Sequence, residues 1–216
     1  AIVRKGIRNL CHKRIRQCVP HGDQAKRAAR SSFASQMREG PIAPLPEAAN
    51  EQHYEVPDAF FGYALGHRRK YSGCYWPDGC SSLDDAEDAS LRMTCERAEL
   101  QDGMSILELG CGWGSLTLWM AEHYPNARIT AVSNSNSQRD YIESQASEQN
   151  LTNITVITKD MNDFETSVRF DRIVSVEMFE HMRNYELLLS RISSWLKPTG
   201  KLFVHGWDDA SAANLQ

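Results

Sequence analysis

No stretch of the chain approaches the ~18 uncharged apolar residues that would carry a helix across a bilayer. The basic N-terminus contains no apolar segment of the kind that marks a secretory leader. Cys11, Cys18, Cys74, Cys80, Cys95 and Cys111 form no CxxC pair, which argues against both a zinc site and a disulfide framework. Internal repeats and low-complexity tracts are lacking as well. A reduced, cytoplasmic protein without a bound metal is therefore expected. A net charge of −4 gives no reason to expect a nucleic-acid partner. With 216 residues, 41% of them hydrophobic, there is material for one globular domain and an appendage.

Charge is spread unevenly. Up to residue 40, Arg4, Lys5, Arg8, Lys13, Arg14, Arg16, Lys26, Arg27, Arg30 and Arg38 face only Asp23 and Glu39, so the remainder is acidic. Ile2, Ile7, Leu10, Ile15 and Cys18 recur among these bases at roughly helical spacing. Such a basic amphipathic helix suits either an anionic membrane surface or the acidic body of the protein itself. Pro20-His21-Gly22 ends it, and a second helix is predicted from Asp23 to Arg38. Gly40-Pro41-Ile42-Ala43-Pro44-Leu45-Pro46 reads as a linker, because its prolines remove donors and restrict their predecessors. A short helix over 58–65, opened by Asp58, precedes the aromatic loop Tyr71–Pro77, and Ser82 caps a longer helix, Leu83–Ala98. Four regions follow: a basic helical extension with its linker (1–46), a helical cap segment (47–100), a core (101–205) and a short irregular tail (206–216).

From Met104 onward strands and helices alternate. Strands are predicted at Ser105–Leu109, Arg128–Val132, Ile154–Thr158, Asp171–Val176 and Lys201–His205, with helices at Ser115–His123, Ser137–Gln149 and Tyr185–Leu196. That order implies right-handed βαβ units and a parallel, Rossmann-like α/β sheet. The first strand ends in Glu108 and runs into Gly110, Gly112 and Gly114, with a helix pattern directly behind them. Such a strand-to-helix turn is where an open α/β sheet holds a nucleotide-like cofactor. The spacing is not G-x-G-x-x-G, since Ser115 stands where the third glycine of a dinucleotide site would be. Nor is there a Gly-Lys-Ser/Thr phosphate loop. Acid-x-Gly-x-Gly-x-Gly suits a ligand with an adenosine and an amino-acid end but no phosphates, which describes S-adenosylmethionine.

Three other strand ends face the same edge. The second ends Val132-Ser133-Asn134-Ser135, with Gln138 following, so amides and hydroxyls would bind the ribose there. A helix cap at Asn136 or Ser137 explains those residues equally well. The third ends Lys159-Asp160-Met161, where Asp160 either accepts from an adenine amine beside Met161 or is a solvated turn acid. After the fourth comes Glu177-Met178-Phe179-Glu180-His181-Met182. Methyl transfer needs alignment more than acid catalysis, but an amine nucleophile must lose its proton, and a Glu–His pair can serve as base. The plainer reading is acids capping the next helix with a surface histidine.

Together, His53-Tyr54-Glu55-Val56-Pro57, Lys70-Tyr71-Ser72, Glu108 through Ser115, Asn134-Ser135 with Gln138, and Glu177 through Met182 resemble the cyclopropane-fatty-acyl-phospholipid synthase superfamily. Within it the chain is most similar to the coclaurine N-methyltransferase-like branch, from about Ala43 to His205. The resemblance implies a class I S-adenosylmethionine-dependent methyltransferase. It implies cofactor contacts from Tyr71, Ser72, Gly110, Gly112, Asn134, Gln138, Asp160 and Met161, and a catalytic cluster of Glu177, Glu180 and His181. In the lipid-modifying branch, Glu180 with Tyr54 and His205 would hold bicarbonate. That branch usually reads Tyr-Ser-Cys, whereas here Gly73 follows Ser72 and the cysteine comes one place later, at Cys74. The expected acceptor is a small-molecule amine. Methylene transfer to a lipid and a catalytically silent cofactor-binding chain are the alternatives. Sheets of this type normally gain two further strands, so a C-terminally truncated piece of a longer protein is expected.

Overall fold

The computed structural model describes residues 2–18, 21–44 and 58–206. The chain divides into two compact units, one within Ala1–Gly40 and one within Pro41–Trp207. The first contributes helices α1 (Ile2–Cys18) and α2 (Asp23–Glu39). Gly22, at φ 86, precedes α2 without a side-chain cap, and no residue of α2 is buried. Along α1, Ile2, Val3, Ile7, Leu10 and Ile15 are all exposed, among six bases and no acid.

The second unit holds α3 (Asp58–Ala64), α4 (Leu83–Arg97), β1 (Ser105–Leu109), α5 (Ser115–His123), β2 (Arg128–Ser133), α6 (Asn136–Glu148), β3 (Ile154–Thr158), β4 (Phe170–Val176), α7 (Tyr185–Trp195) and β5 (Leu196–His205). A single 3-10 turn, Phe179–His181, links β4 toward α7. All five strands pair in parallel, in the order β3-β2-β1-β4-β5. This is the predicted α/β architecture.

Alternation along β1 sorts its side chains between two layers. Leu107 and Leu109 join Val132, Ile173, Phe170 and the α7 residues Leu188, Ile192 and Trp195 on one face. Ile106 joins Ile129, Val174 and residues of α4 and α5, including Leu91, Trp119 and Met120, on the other. Ile142 and Ala146 bring α6 against Leu118 and Ala131. All five β1 residues are buried, as befits a central parallel strand.

Local chemistry sets the helix starts. Ser82 Oγ accepts from Asp85 N at 3.1 Å while Asp85 Oδ2 accepts from Ser82 N at 3.1 Å, a reciprocal capping box. The cap of α6 is Ser135, one residue before Asn136 and two before Ser137, the caps the sequence suggested, with Oγ accepting from Gln138 N. β5 begins at Leu196 opposite Phe170, and its register shifts before the ladder resumes at Arg172↔Lys201. The predicted Pro198-Thr199-Gly200 turn falls in that irregular stretch.

The start of the predicted linker is core. Ile42 is 1% exposed and Ala43 5%. Ala43 N donates to Asn162 Oδ1 at 3.0 Å and Ala43 O accepts from Asn162 Nδ2 at 2.8 Å. One amide side chain thus supplies both bonds a neighbouring strand would have made. Ile42 O also accepts from Arg183 N at 2.7 Å. Replacing Asn162 with Ala should cost about 1–3 kcal/mol, because the Ala43 backbone loses both partners while buried. Urea unfolding would measure this, with Asn162→Asp, which keeps the acceptor only, falling between the two.

Candidate cofactor and active site

Between β1 and β4 the chain's connections diverge, one leading to β2 and the other to β5, and this leaves a crevice at the strands' carboxyl ends. A pocket of about 240 Å³ opens there, room for an organic ligand rather than a single water. Of the residues singled out from the sequence, Tyr71, Ser72, Glu108, Gly110, Gly112, Glu177 and His181 line it.

Gly110, Gly112 and Gly114 all adopt left-handed backbone, at φ 78, 54 and 78. Their reasons differ. A Cβ on Gly110 would lie 2.7 Å from Met178 Cβ, and one on Gly114 2.5 Å from Ile142 Cγ1, so both are needed for close packing. A Cβ on Gly112 would meet nothing within 4 Å. Gly112 alone forms a cradle that a side chain would fill. The turn is fastened by Gly110 N and Cys111 N, which both donate to Val132 O at 3.0 Å.

Glu108 is buried beneath this turn, with Thr117 Oγ1 donating to its Oε2 at 2.5 Å. Burial pushes its carboxyl up to about 8, against the opposing effect of the Thr117 bond. Glu177, just past β4, is a non-glycine residue at φ 52, a strained conformation of the kind found at functional sites. Its N donates to His205 O at 2.8 Å and its Oε1 accepts from Gly73 N at 3.4 Å. Strand pairing thereby fixes the backbone while the carboxylate reaches across to the Tyr71-Ser72-Gly73 loop. His181 and Glu180 sit in the following 3-10 turn, both exposed. A Cβ on Gly206 would lie 2.7 Å from Glu180 Oε1, so that carboxylate rests beside the end of β5. His205 is exposed and joins through its backbone.

Other expected residues lie beyond the pocket lining. Ser135 caps α6, and Asn134 is exposed beside it. Asp160 accepts from Asn162 N at 2.6 Å, an Asx-type turn, while Met161 is buried in the core near Phe164. Gln138 is buried, with Oε1 accepting from Ser133 Oγ at 2.6 Å. Tyr54 and its His-Tyr-Glu-Val-Pro motif lie outside the described residues.

Several pocket residues were not singled out as site residues in the sequence. Trp113 is buried, packs on Phe61 (centroids 5.0 Å) and Tyr141 (5.6 Å), and lines the pocket with Arg69, Lys70 and Ser115. Arg69 Cζ lies 4.0 Å from the Tyr141 ring centroid. Trp113 was visible in Gly-Trp-Gly and Lys70 in Lys-Tyr-Ser, but neither spacing says where the side chain goes.

A polar ligand at this edge fits what the protein leaves unspent. Among the described residues, buried side-chain atoms without a partner are Trp113 Nε1, Ser115 Oγ, Gln138 Nε2, Thr158 Oγ1 and Trp195 Nε1. The first four belong to the carboxyl end of β3, to the glycine turn, or to the first turns of α5 and α6. Buried polar groups are ordinarily satisfied, and of these exceptions Trp113 and Ser115 line the pocket.

Fold and crevice together define a Rossmann-like sheet of the S-adenosylmethionine-dependent methyltransferase type. Residues 45–215 match the family model described as mycolic acid cyclopropane synthetase, and the chain belongs to that family. It is 45% identical over 168 residues to (S)-coclaurine N-methyltransferase of Thalictrum flavum subsp. glaucum, covering 78% of this chain and 46% of the relative. It is 37% identical over 202 residues to (S)-tetrahydroprotoberberine N-methyltransferase of Eschscholzia californica, covering 94% and 58%. The crystal structure of coclaurine N-methyltransferase bound to N-methylheliamine and SAH superimposes with a TM-score of 0.85 at 40% identity, covering 94% of this chain and 59% of that one. The chain spans about half the length of the curated relatives it matches.

Glu108 makes stability depend on pH. The folded chain holds its proton up to about 8, whereas the unfolded chain releases it near 4.5. Its contribution is full below the lower value and is lost as pH rises toward the upper one. Glu108→Gln should therefore shrink the drop in melting temperature between pH 5 and pH 8, by roughly 4 °C or more. Parallel profiles for the two proteins would exclude a titrating Glu108.

Proposed function

We propose that this chain is the cofactor-binding part of an S-adenosylmethionine-dependent N-methyltransferase acting on a small-molecule amine. The observation that carries the reading is one pocket bounded by the Gly112 cradle on one side and by Glu177 and His181 on the other. The cofactor supplies an electrophilic methyl group on a sulfonium. Gly112, Tyr71, Ser72, Ser115 and Gln138 are the residues that would hold it, with Gly110 and Gly114 keeping the loop tight. Glu177, Glu180 and His181 offer acceptors for the proton that the amine loses as its nitrogen becomes a nucleophile. The names of the two relatives given above, both N-methyltransferases, support the same class of acceptor.

Lipid methylene transfer, the chemistry in the family model's name, draws less support. Cys74 is half-buried beside Ser72, its Sγ donating to Ser72 O at 3.9 Å, and it is not among the pocket residues. Burial raises its thiol pKa. A membrane role for α1 is a separate matter: six bases and five exposed aliphatic side chains on one helix suit an anionic bilayer. In vesicle sedimentation, phosphatidylserine should bind the chain roughly tenfold better than phosphatidylcholine, with the difference lost at high salt. Equal binding to both would remove the membrane role.

Calorimetric titration with S-adenosylmethionine tests the cofactor site. Gly112→Val should weaken binding by roughly two orders of magnitude by filling the cradle, with the melting curve confirming that the variant folds. Unchanged affinity would sink the loop assignment. Glu180→Ala should leave affinity within about threefold and slow methyl transfer to an amine by roughly 10²–10⁴. If transfer survives, the acid serves only the turn.

A further inference from the structure

The loop that carries Tyr71 and Ser72 is held by charge from one helix. Glu87, on α4, is fully buried, and its Oε1 accepts from Gly66 N and Lys70 N, both at 3.0 Å, while Oε2 accepts from Arg68 N at 2.8 Å. Asp84, one turn earlier, accepts from His67 N at 2.8 Å. The loop lies so close that a Cβ on Gly66 would fall 2.6 Å from both carboxylates. His67, Asp84 and Glu87 cluster like metal ligands, but three of these acids' four oxygens already accept from the loop backbone.

This grip delivers the Lys70 side chain to the pocket wall. Lys70 is 5% exposed, and its ammonium donates to Ser72 Oγ and, at 2.7 Å, to Gly73 O. Burial lowers its pKa, opposed by Cys74, Glu177 and Glu87. An ammonium has donors only, so Ser72 Oγ must accept from it. The hydroxyl proton is then left to be donated elsewhere, and Ser72 lines the pocket. A hydroxyl that donates with a cation directly behind it suits an anion, because charge-assisted bonds are the stronger ones. Glu177, which also lines the pocket, repels an anion, and Arg69 is stacked over Tyr141. On the cofactor the only group of that charge is the carboxylate of its amino-acid end.

We propose that Lys70 is a positioning residue that turns Ser72 into a charge-backed donor for the cofactor's carboxylate. The proposal rests on the cofactor reading above. It is tested by titrating the full chain with two ligands. S-adenosylhomocysteine carries the carboxylate, whereas S-adenosyl-3-thiopropylamine keeps the adenosine, thioether and amine without it. Lys70→Met should weaken binding of the first at least tenfold and of the second less than twofold. Ser72→Ala should reproduce that selective loss, and the double variant should lose no more than either single change. Equal loss for both ligands, or no loss, overturns the proposal, since a merely structural lysine would not distinguish them. Should Lys70→Met fail to fold, Ser72→Ala decides alone by the same criterion. If the unaltered chain binds neither ligand, the cofactor reading fails first and takes the proposal with it.

Discussion

The structure depends on one topological constraint: β1 lies at the centre of an all-parallel sheet whose connections leave it in opposite directions. Right-handed crossovers then require a crevice at the carboxyl ends of β1 and β4, because no connection passes over that point. The glycine turn and Glu177, far apart in the chain, meet there across the β1–β4 ladder, whose pairing runs from Ile106↔Arg172 to Leu109↔Ser175. The packing of α4 to α6 on one face and α7 on the other serves to hold that edge rigid.

Rigidity matters because the edge is assembled from groups a stable fold would avoid. Glu108 is a carboxyl sealed in an apolar layer, Glu177 has a left-handed backbone, and four buried polar atoms at this edge lack partners. Each costs free energy, and each persists because strands and helices on either side over-determine its position. Glu108 raises the cost as pH climbs from about 4.5 toward about 8, as its depth favours the protonated form.

Electrostatics supplies the second organising idea. Carboxylates on α4 collect backbone N–H groups of the 66–70 loop, and the loop in turn brings a buried ammonium beside Ser72. Charge is thereby carried from a helix face into a binding wall through short, directional bonds. Acid and cation meet at that loop, where Gly73 N donates to Glu177 and Gly73 O accepts from Lys70.

Apart from β5, which begins five residues before its predicted start, strands and helices after Met104 were legible in the sequence to within a residue, because short apolar runs alternate with helical periodicity and are punctuated by glycine, proline and asparagine. Three of these eight predicted strands and helices, Ser105–Leu109, Ser115–His123 and Ile154–Thr158, match their predicted bounds. The glycine loop and the Glu-Met-Phe-Glu-His run were equally plain, since backbone conformation and strand ends are written in local residues. Tertiary structure alone decided the rest. Nothing near Ile42 announces that Asn162 will pair with the next residue and that Ile42 and Ala43 will enter the core. Nothing in Gly-x-Gly-x-Gly says that Gly112 faces open space while Gly110 and Gly114 pack against Met178 and Ile142. Lys70, Glu87 and Trp113 owe their roles to partners brought in from distant segments. Local conformation is a property of neighbouring residues and can be read from them, whereas burial and charge pairing belong to space that only the folded chain defines.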